Sequence, residues 1–319
     1  MLNQPFHFAP YLKTVIWGGE RIAPFKGIKT HQTSIGESWE ISAVPDHVSV
    51  VDSGPCEGMT LTDLVEKYGP ELMGERNYQL YAPSFPLLIK LIDAREDLSV
   101  QVHPDDALAW KRHRCAGKTE MWNVIDTDPG ARIYAGLNRK ITPAEYERRV
   151  ADNTIMDVVA GYESAPGDTF FLPAGRIHAI GAGNLLAEIQ QTSDITYRIY
   201  DYGRRDSEGN QRELHTSQAR EAIDYNVYPD YRSTPQGNVL ASCKYFDVRR
   251  LDVPAGKTIS IDYPRESFTI VMCIAGEGAI LDAEAMTVFP IRRGRTLLFP
   301  ATMQALRAIG PVSILSIQS

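Results

Sequence analysis

The sequence lacks the features that mark secreted and membrane proteins. Its four cysteines, Cys56, Cys115, Cys243 and Cys273, lie far apart and include no Cys-x-x-Cys pair, so a disulfide framework is not expected. No apolar run reaches the roughly 18 residues that a membrane span needs. The first residues lack the charged start and apolar run of a signal peptide. These absences predict a cytoplasmic protein in a reducing compartment, with no membrane partner.

An excess of positive charge is also absent. The 319 residues include 33 Lys and Arg against 40 Asp and Glu, which gives a formal net charge of −7. Because nucleic-acid binding requires a basic face, this balance argues against a nucleic-acid partner. It does not exclude a small anionic substrate, since a local cluster of Arg and Lys can bind one despite the overall charge.

Short runs of β-forming residues between turn signals dominate the chain. Apolar patterns predict strands over residues 37–44, 47–54, 85–94, 98–103, 119–126 and 131–137. Helical spacing predicts helices over 60–74, 142–159 and 217–224 and in the stretch that follows Pro104. Thr142 and Glu145 stand at the spacing of a capping box. The pattern is typical of a mainly β protein with a few short helices.

A Pro-, Gly- and Ser-containing stretch near residue 235 predicts a domain boundary, with an all-β segment after it. An internal repeat supports this division, because GDTFFLPAGRIH (167–178) and GRTLLFPATMQA (294–305) share the spacing of Gly, Pro and Ala. The first copy ends in His178, and the second has Ala305 at that position. Two related β units would explain the match; the alternative is a chance similarity between two strand–turn segments.

Four side chains form a candidate metal site: Gln101, His103, Glu120 and His178. Gln101 and His103 are one residue apart in a predicted strand, so they point to the same face. Two imidazoles, a carboxylate and a weak amide oxygen form a donor set that suits Zn²⁺. Alternatively, each histidine has a structural or surface role, which is the more common case for a single histidine in a β protein.

The motifs around these residues resemble a known family. Gly167, Pro173, Gly175 and His178 have the spacing of the second motif of the cupin barrels, in which His178 takes the place of the metal-binding histidine. In the first cupin motif Gln101 stands where a histidine is usual, and Glu120 is delayed by an insertion. This variant resembles the short bacterial form of the type I mannose-6-phosphate isomerases. The similarity also covers YLKTVIWGG (11–19), GESWEIS (36–42), QVHPDD (101–106), GKTEMW (117–122), LPAGRIHAIG (172–181) and AEIQQTSDITYRIYDYGR (187–204).

The resemblance implies two cupin-type jelly-roll β-barrels. Residues 1–235 would form the catalytic, metal-binding barrel with helical insertions, and residues 236–319 a degenerate barrel without a metal site. It also implies a zinc-dependent aldose–ketose isomerase that interconverts mannose 6-phosphate and fructose 6-phosphate through a cis-enediolate. One Zn²⁺ per chain would be bound by Gln101, His103, Glu120 and His178, and the partner would be a small sugar phosphate. Both a monomer and a homodimer remain open.

The family's catalytic arginine corresponds to Arg198, and Lys118 to the lysine before the metal-binding glutamate. Many relatives have His-Lys-Pro-Glu where this chain has Gly117-Lys118-Thr119-Glu120, which puts in doubt any mechanism that uses the histidine as a base. Two candidates for the base remain, Lys118 and Glu188. Lys118 could instead contact phosphate, and Glu188 could be a strand carboxylate paired with a basic residue.

The strand alternation around Arg198 makes a further prediction. Thr196, Arg198 and Tyr200 fall on one face of the predicted strand, with Ile195 and Tyr197 on the other. If Arg198 faces the interior, it must be paired or functional, because an unpaired buried charge is costly. If it faces outward, it is a solvated arginine.

Two other functions fit the same motifs. A cupin oxygenase would use Fe²⁺ with two histidines, a carboxylate and open positions, and Gln101 argues against it. A sugar- or nucleotide-sugar-binding module would retain the fold without turnover. Metal analysis, oxygen uptake and turnover of mannose 6-phosphate distinguish the three.

Overall fold

A computed structural model describes residues 2–205, 208–262 and 264–319. Strands outweigh helices among the described residues, which confirms the predicted mainly β fold. The strands are β1 (Tyr11–Gly19), β2 (Ile35–Ile41), β3 (Leu87–Ala94), β4 (Val100–Val102), β5 (Glu120–Thr127), β6 (Arg132–Leu137), β7 (Val159–Glu163), β8 (Thr169–Leu172), β9 (His178–Ile180), β10 (Asn184–Gln191), β11 (Tyr197–Tyr200), β12 (Val239–Ser242), β13 (Asp247–Val253), β14 (Thr258–Ser260), β15 (Thr269–Asp282), β16 (Thr287–Arg292), β17 (Thr296–Phe299), β18 (Leu306–Ile309) and β19 (Val312–Gln318).

The strands form three antiparallel sheets. The first has six strands in the order β1-β2-β3-β10-β5-β8, and the second has five in the order β11-β4-β9-β6-β7. The third has eight strands, in which β12-β13-β19-β15-β18-β14 form a continuous path while β16 and β17 pair with β15. The first two sheets are built from residues 11–200 and carry the predicted site residues.

Within the described residues, seven α-helices connect the strands. They are α1 (Ile22–Lys26), α2 (Leu61–Tyr68), α3 (Pro70–Met73), α4 (Glu75–Tyr81), α5 (Asp106–His113), α6 (Pro143–Ala151) and α7 (Thr216–Ala222). The start of α5 agrees with the sequence pattern, because the Asp105 side chain accepts a hydrogen bond from the Leu108 N–H as an N-cap. No helix among the described residues is long and apolar enough to cross a membrane.

Three predicted elements are wrong in detail. The helix predicted over 60–74 breaks at Gly69, whose φ of 50° ends α2 before α3 begins. The helix predicted over 142–159 ends at Ala151, and a 3-10 turn (Ile155–Val158) then leads into β7. Thr142 does cap α6, but the Glu145 carboxylate pairs with Arg139 and Arg149 and does not return to the cap.

The strand predicted over 47–54 is the third error. Only isolated bridges occur there, at Val50 and Val51. A run of β-forming residues needs a continuous neighbouring strand to complete its hydrogen bonds, and none lies beside this one.

The C-terminal sheet packs tightly against the rest of the chain. The largest apolar cluster contains side chains from both parts, and the rings of Phe85 and Phe268 lie 4.4 Å apart between centroids. The two repeat copies have strands at equivalent positions, since Thr169–Leu172 and Thr296–Phe299 occupy the same offsets. The domain boundary near residue 235 and the two-barrel arrangement stay predictions.

Candidate metal centre and adjoining cavity

The first two sheets face each other across a cavity of about 380 Å³. This is the size range of small-molecule sites. Charged and polar side chains from both sheets and from the loops beside them line it, including Lys90, Gln101, Lys118, Glu188, Arg198 and Arg212. The three catalytic candidates predicted from the sequence, Lys118, Glu188 and Arg198, therefore line one cavity together with Gln101.

The structure brings the four predicted metal donors together at the end of this cavity. The potential donor atoms of His103, Glu120 and His178 all lie within 4.8 Å of one another. His103 Nε2 is 3.4 Å and His178 Nε2 is 3.2 Å from the Glu120 carboxylate. The Gln101 amide lies 3.3 Å from His178 Nε2, and rotation of the amide by 180° would turn its oxygen to the same point. Residues of two sheets that are distant in the sequence thus supply one compact donor set.

Backbone carbonyls orient both imidazoles. His103 Nδ1 lies 2.9 Å from the Ile195 carbonyl oxygen, and His178 Nδ1 lies 2.8 Å from the Arg176 carbonyl oxygen. Because a carbonyl oxygen only accepts, each Nδ1 carries the proton and each Nε2 presents a lone pair to Glu120. In metal sites, a hydrogen bond from the ring nitrogen that does not bind the metal fixes the tautomer of the histidine, and both Nδ1 contacts are of this kind.

The His103 lone pair has no other partner, because Nε2 is a buried atom without a hydrogen bond. The Glu120 carboxylate is also buried, and it faces both imidazoles and the Lys118 ammonium group. Electron-rich atoms that converge in a buried site repel one another unless a cation lies among them. The residues therefore fit a metal ion. Among the residues that the structure describes, this is the only group of His, Cys, Asp and Glu side chains that could hold one.

The protonation states of the donors also suit a metal. Burial, together with the charge of Lys118, lowers the pKa of His103 to about 3, and burial lowers the pKa of His178. Burial raises the pKa of Glu120, but Lys118 and the two imidazoles more than offset this and hold it well below its usual range. At neutral pH the site therefore offers two neutral imidazoles and one carboxylate, the forms that bind metal.

Close packing explains the glycine at position 117. A Cβ atom on Gly117 would lie 2.5 Å from the backbone of Asp105 and Asp106, so no larger residue fits there without a shift. The neighbouring Lys118 is buried, and its Nζ lies 3.1 Å from Glu120 Oε2. The local backbone thus excludes a histidine at position 117 and directs Lys118 to the metal donors.

A chain of ion pairs lies on the cavity wall that the first sheet forms, on β2, β3 and β10. Lys90 contacts Glu37 at 3.3 Å and Glu188 at 3.1 Å. The Trp122 indole donates a hydrogen bond of 2.8 Å to Glu188, and Trp39 donates one of 2.7 Å to Glu37. Glu188 is therefore held in place by the Lys90 cation and an indole N–H. This agrees with the alternative interpretation, in which Glu188 is a strand carboxylate paired with a basic residue. Glu188 also lines the cavity.

Charge interactions hold this network in its ionised form. Burial raises the pKa of Glu37, but Lys90 and Lys13 outweigh it and lower the value to about 2. Burial lowers the pKa of Lys90, but Glu188 and Glu37 outweigh it and raise the value above its usual range. The sequence interpretation did not include Lys90 or Glu37. The available signal was a lysine inside the continuous apolar run FPLLIKLIDA, because a charge in a buried strand must be paired.

Arg198 faces the cavity, as one of the two sequence interpretations expected. It lies directly opposite Gln101 in the pairing of β11 with β4. Its Nη1 donates a hydrogen bond of 3.0 Å to the Glu213 carbonyl, while its buried Nε has no partner. The guanidinium is thus half-buried at the cavity wall near the predicted metal donors, and its Nε is left without a partner.

A second arginine, which the sequence interpretation did not identify, lies next to Arg198. The Asp201 carboxylate accepts hydrogen bonds of 2.8 Å from Nε and 2.5 Å from Nη2 of Arg212. Asp201 also pairs with Arg204. Burial lowers the pKa of Arg198, and the charges of Arg212 and Arg204 lower it further. Three guanidinium groups around one buried carboxylate leave a local excess of positive charge at this end of the cavity.

Comparisons with known proteins give a consistent result. Residues 6–124 match the family model described as the phosphomannose isomerase type I catalytic domain. The chain is 36% identical to the mannose-6-phosphate isomerase ManA of Bacillus subtilis, with 94% of each chain covered. It is 33% identical to the mannose-6-phosphate isomerase of Streptococcus mutans, with 100% of this chain and 99% of that protein covered.

A solved structure extends the comparison to three dimensions. The crystal structure of the mannose 6-phosphate isomerase from Bacillus subtilis matches with a TM-score of 0.87 at 31% identity, over 99% of this chain and 100% of that chain. The match therefore includes the candidate metal centre, the cavity and the C-terminal sheet. Together these findings confirm the resemblance that the motifs indicated.

Proposed function

The chain belongs to the type I phosphomannose isomerase family and is an enzyme of that family, and from this premise we propose its metal and its mechanism. The metal is Zn²⁺, one per chain, bound by Gln101, His103, Glu120 and His178. The reaction interconverts mannose 6-phosphate and fructose 6-phosphate. The observation that carries the proposal is the convergence of buried donor atoms of His103, Glu120 and His178 beside a cavity rich in charged side chains.

The reaction moves a proton between C1 and C2 of the sugar through a cis-enediolate. It requires a base near both carbons, a group that shuttles a proton between O1 and O2, and positive charge beside the developing oxyanion. When bound, Zn²⁺ supplies Lewis-acid stabilisation of that oxyanion. The side chains of the cavity supply the other two requirements.

We assign Glu188 as the base. Its carboxylate lines the cavity and is oriented by Lys90 and the Trp122 indole, and a carboxylate can accept a proton. Lys118 forms an ion pair with Glu120, and an ammonium group in an ion pair donates hydrogen bonds and does not accept a proton. Lys118 then shuttles a proton between O1 and O2: the ammonium group donates one proton to O1, and the amine so formed takes one proton from the O2 hydroxyl.

Arg198 stabilises the oxyanion, and Arg212 binds the phosphate. Arg198 is adjacent to Gln101 across the β4–β11 pair, so it reaches the metal end of the cavity. Arg212 also lines the cavity, and Asp201 uses two of its donor groups and leaves Nη1 for a ligand. The phosphate on C6 is four carbons away from C2. The phosphate and the oxyanion that develops near C2 therefore require two separate cations. A guanidinium fork is well suited to a phosphate dianion.

A cytoplasmic location is part of the proposal. The four cysteines are free thiols, which is the state that a reducing compartment maintains. The partner is the sugar phosphate substrate.

A coupled assay tests the function directly. Purified protein should convert mannose 6-phosphate to fructose 6-phosphate, lose turnover after treatment with a chelator, and regain it when Zn²⁺ is added back. Oxygen uptake together with bound iron would support an oxygenase instead. Binding of zinc and sugar phosphate without conversion would indicate a binding module.

A further inference from the structure

The segment that follows β11 folds back and attaches to Arg198 at three points. The His215 N–H donates a hydrogen bond of 2.7 Å to the Arg198 carbonyl, and the Arg198 N–H lies 3.1 Å from His215 Nδ1. The third contact is the bond of 3.0 Å from Arg198 Nη1 to the Glu213 carbonyl. The backbone and the side chain of one arginine are thus fixed by the same short segment.

The contact with Nδ1 determines the state of the imidazole. A backbone N–H can only donate, so His215 Nδ1 must accept and cannot carry a proton. The ring is therefore neutral, with its proton on Nε2, which lies 4.0 Å from the Glu213 carboxylate. A second proton on the ring would place two N–H groups against each other at the Arg198 backbone.

The groups around His215 favour the same neutral state. Burial lowers the pKa of His215, the nearby charges of Arg198 and His113 lower it further, and Glu213 opposes them. The Tyr197 ring lies 6.2 Å from the imidazole between centroids, and its hydroxyl contacts His113 Nε2 at 2.8 Å. Thus the Arg198 guanidinium faces His215 from β11, His113 lies beyond Tyr197 on α5, and the Glu213 carboxylate faces His215 from its own segment.

We propose that neutral His215 is a positioning residue for Arg198. It replaces a neighbouring strand at this point, because β11 is the last strand of its sheet and pairs on one side only, with β4. Without the imidazole acceptor the Arg198 N–H has no partner, and the end of β11 can move away from the cavity. The inference rests on the proposed function, since it assigns His215 through the role of Arg198 in turnover.

Protonation of His215 should have the same effect as its removal. Below the pKa of the ring, the imidazolium loses its bond to the Arg198 N–H and is repelled by the guanidinium. Turnover should therefore fall on the acid side while the metal stays bound, because His215 touches none of the four predicted metal donors. Asparagine offers an acceptor oxygen near the place of Nδ1 and does not titrate.

The test compares His215→Ala with His215→Asn. His215→Ala should lower kcat about 10- to 100-fold with the zinc content unchanged, since a displacement of about 1 Å costs this much. His215→Asn should keep kcat within about threefold of wild type near pH 7, and its acid limb should move to lower pH. His113→Asn is the matched control, because His113 also packs on Tyr197 but makes no bond to Arg198; its kcat near pH 7 should match wild type.

Wild-type kcat in His215→Ala, or an unshifted acid limb in an active His215→Asn, would overturn the proposal. A readout that is independent of activity is the ¹⁵N NMR spectrum of the wild-type histidines. It should show His215 as the Nε2–H tautomer with a hydrogen-bonded Nδ1 near pH 7, and the opposite tautomer would also overturn the proposal. If wild-type protein fails to convert mannose 6-phosphate, the proposed function fails, whereas the NMR result still tests the bond between His215 and Arg198.

Discussion

Arg198 lies directly opposite Gln101 in the antiparallel pairing of β11 with β4. Residues opposite each other in such a pair project from the same face of the sheet, with Cβ atoms roughly 5 Å apart. Gln101 is in turn paired with His178 across β4 and β9. Three neighbouring strands therefore carry an arginine, an amide and an imidazole side by side, and this row brings a permanent positive charge close to the predicted metal donors.

The first prediction concerns the charge of Arg198. Arg198→Ala should retain zinc and lower kcat about 10²- to 10³-fold, because removal of one preorganised oxyanion donor typically costs this much. Arg198→Lys should recover only part of the rate, since an ammonium group lacks the planar fork. Coupled assays and metal analysis of the same preparations provide the measurement. Wild-type turnover in Arg198→Ala would remove this residue from the mechanism.

The second prediction concerns His103. His103→Ala should lose zinc and turnover together, because it deletes one of the two lone pairs that face Glu120. His31→Ala is the control, since His31 is exposed and lies outside the cavity. Zinc per chain should fall strongly in the first variant and remain at one in the second. Full turnover in metal-depleted His103→Ala would contradict a metal-dependent reaction.

The third prediction separates the two candidate bases. Glu188→Gln should lower kcat about 10²- to 10⁴-fold and should abolish exchange of the C2 hydrogen with deuterated solvent, because an amide cannot accept the proton. Lys118→Met should slow isomerisation and still permit exchange. Exchange that persists in Glu188→Gln and disappears in Lys118→Met would instead identify Lys118 as the base.

The fourth prediction concerns recognition of the phosphate. Arg212→Gln should raise KM for mannose 6-phosphate about 10- to 100-fold, since it removes a charge-assisted contact, while kcat changes much less. Residual turnover of unphosphorylated mannose should not change. Arg205→Gln is the matched control, because Arg205 is exposed and does not line the cavity. Equal effects of the two substitutions on KM would argue against a specific role for Arg212.

The fifth prediction concerns acid stability and Glu37. The Lys90 and Lys13 charges lower the pKa of Glu37 to about 2 against the opposing effect of burial, so the unfolded chain binds a proton at higher pH than the folded protein. The stabilisation is complete above the ordinary carboxyl pKa of about 4.3 and is lost as the pH falls toward 2.

Between about pH 6 and pH 3 the wild-type protein should lose about 2 kcal/mol more free energy of unfolding than Glu37→Gln, which cannot titrate. Urea denaturation of both proteins at the two pH values measures this difference. Parallel losses would show that Glu37 is not coupled to Lys90 and Lys13 in solution.

The sequence identified the elements that carry the site better than it identified their lengths. The period of two around Gln101 and His103 and the turn before His178 depend on local backbone geometry, which the chain itself largely determines. Helix ends were less well predicted. The break at Gly69 and the end of α6 at Ala151 depend on which neighbouring segment offers hydrogen-bond partners, and that is a tertiary property.

The missed residues have a common physical reason. Lys90 lies in a continuous apolar run, and its partner Glu188 is about 100 residues away in the sequence, so their pairing exists only where β3 meets β10. Arg212 and His215 lie in a polar loop, and no periodicity distinguishes a loop arginine in solvent from one held against Asp201. The contacts of Arg212 and His215 therefore depend on how the loop folds.

The sequence by itself determined the mainly β character, the donor types and their order along the chain, because these follow from residue chemistry and strand alternation. The tertiary structure alone decided that donors from two sheets meet, that both Nε2 atoms face Glu120, and that Gly117 leaves no room for a side chain. Each of these results depends on distances between segments far apart in the sequence. Such distances are set by the packing of the sheets and not by the local preference of any residue.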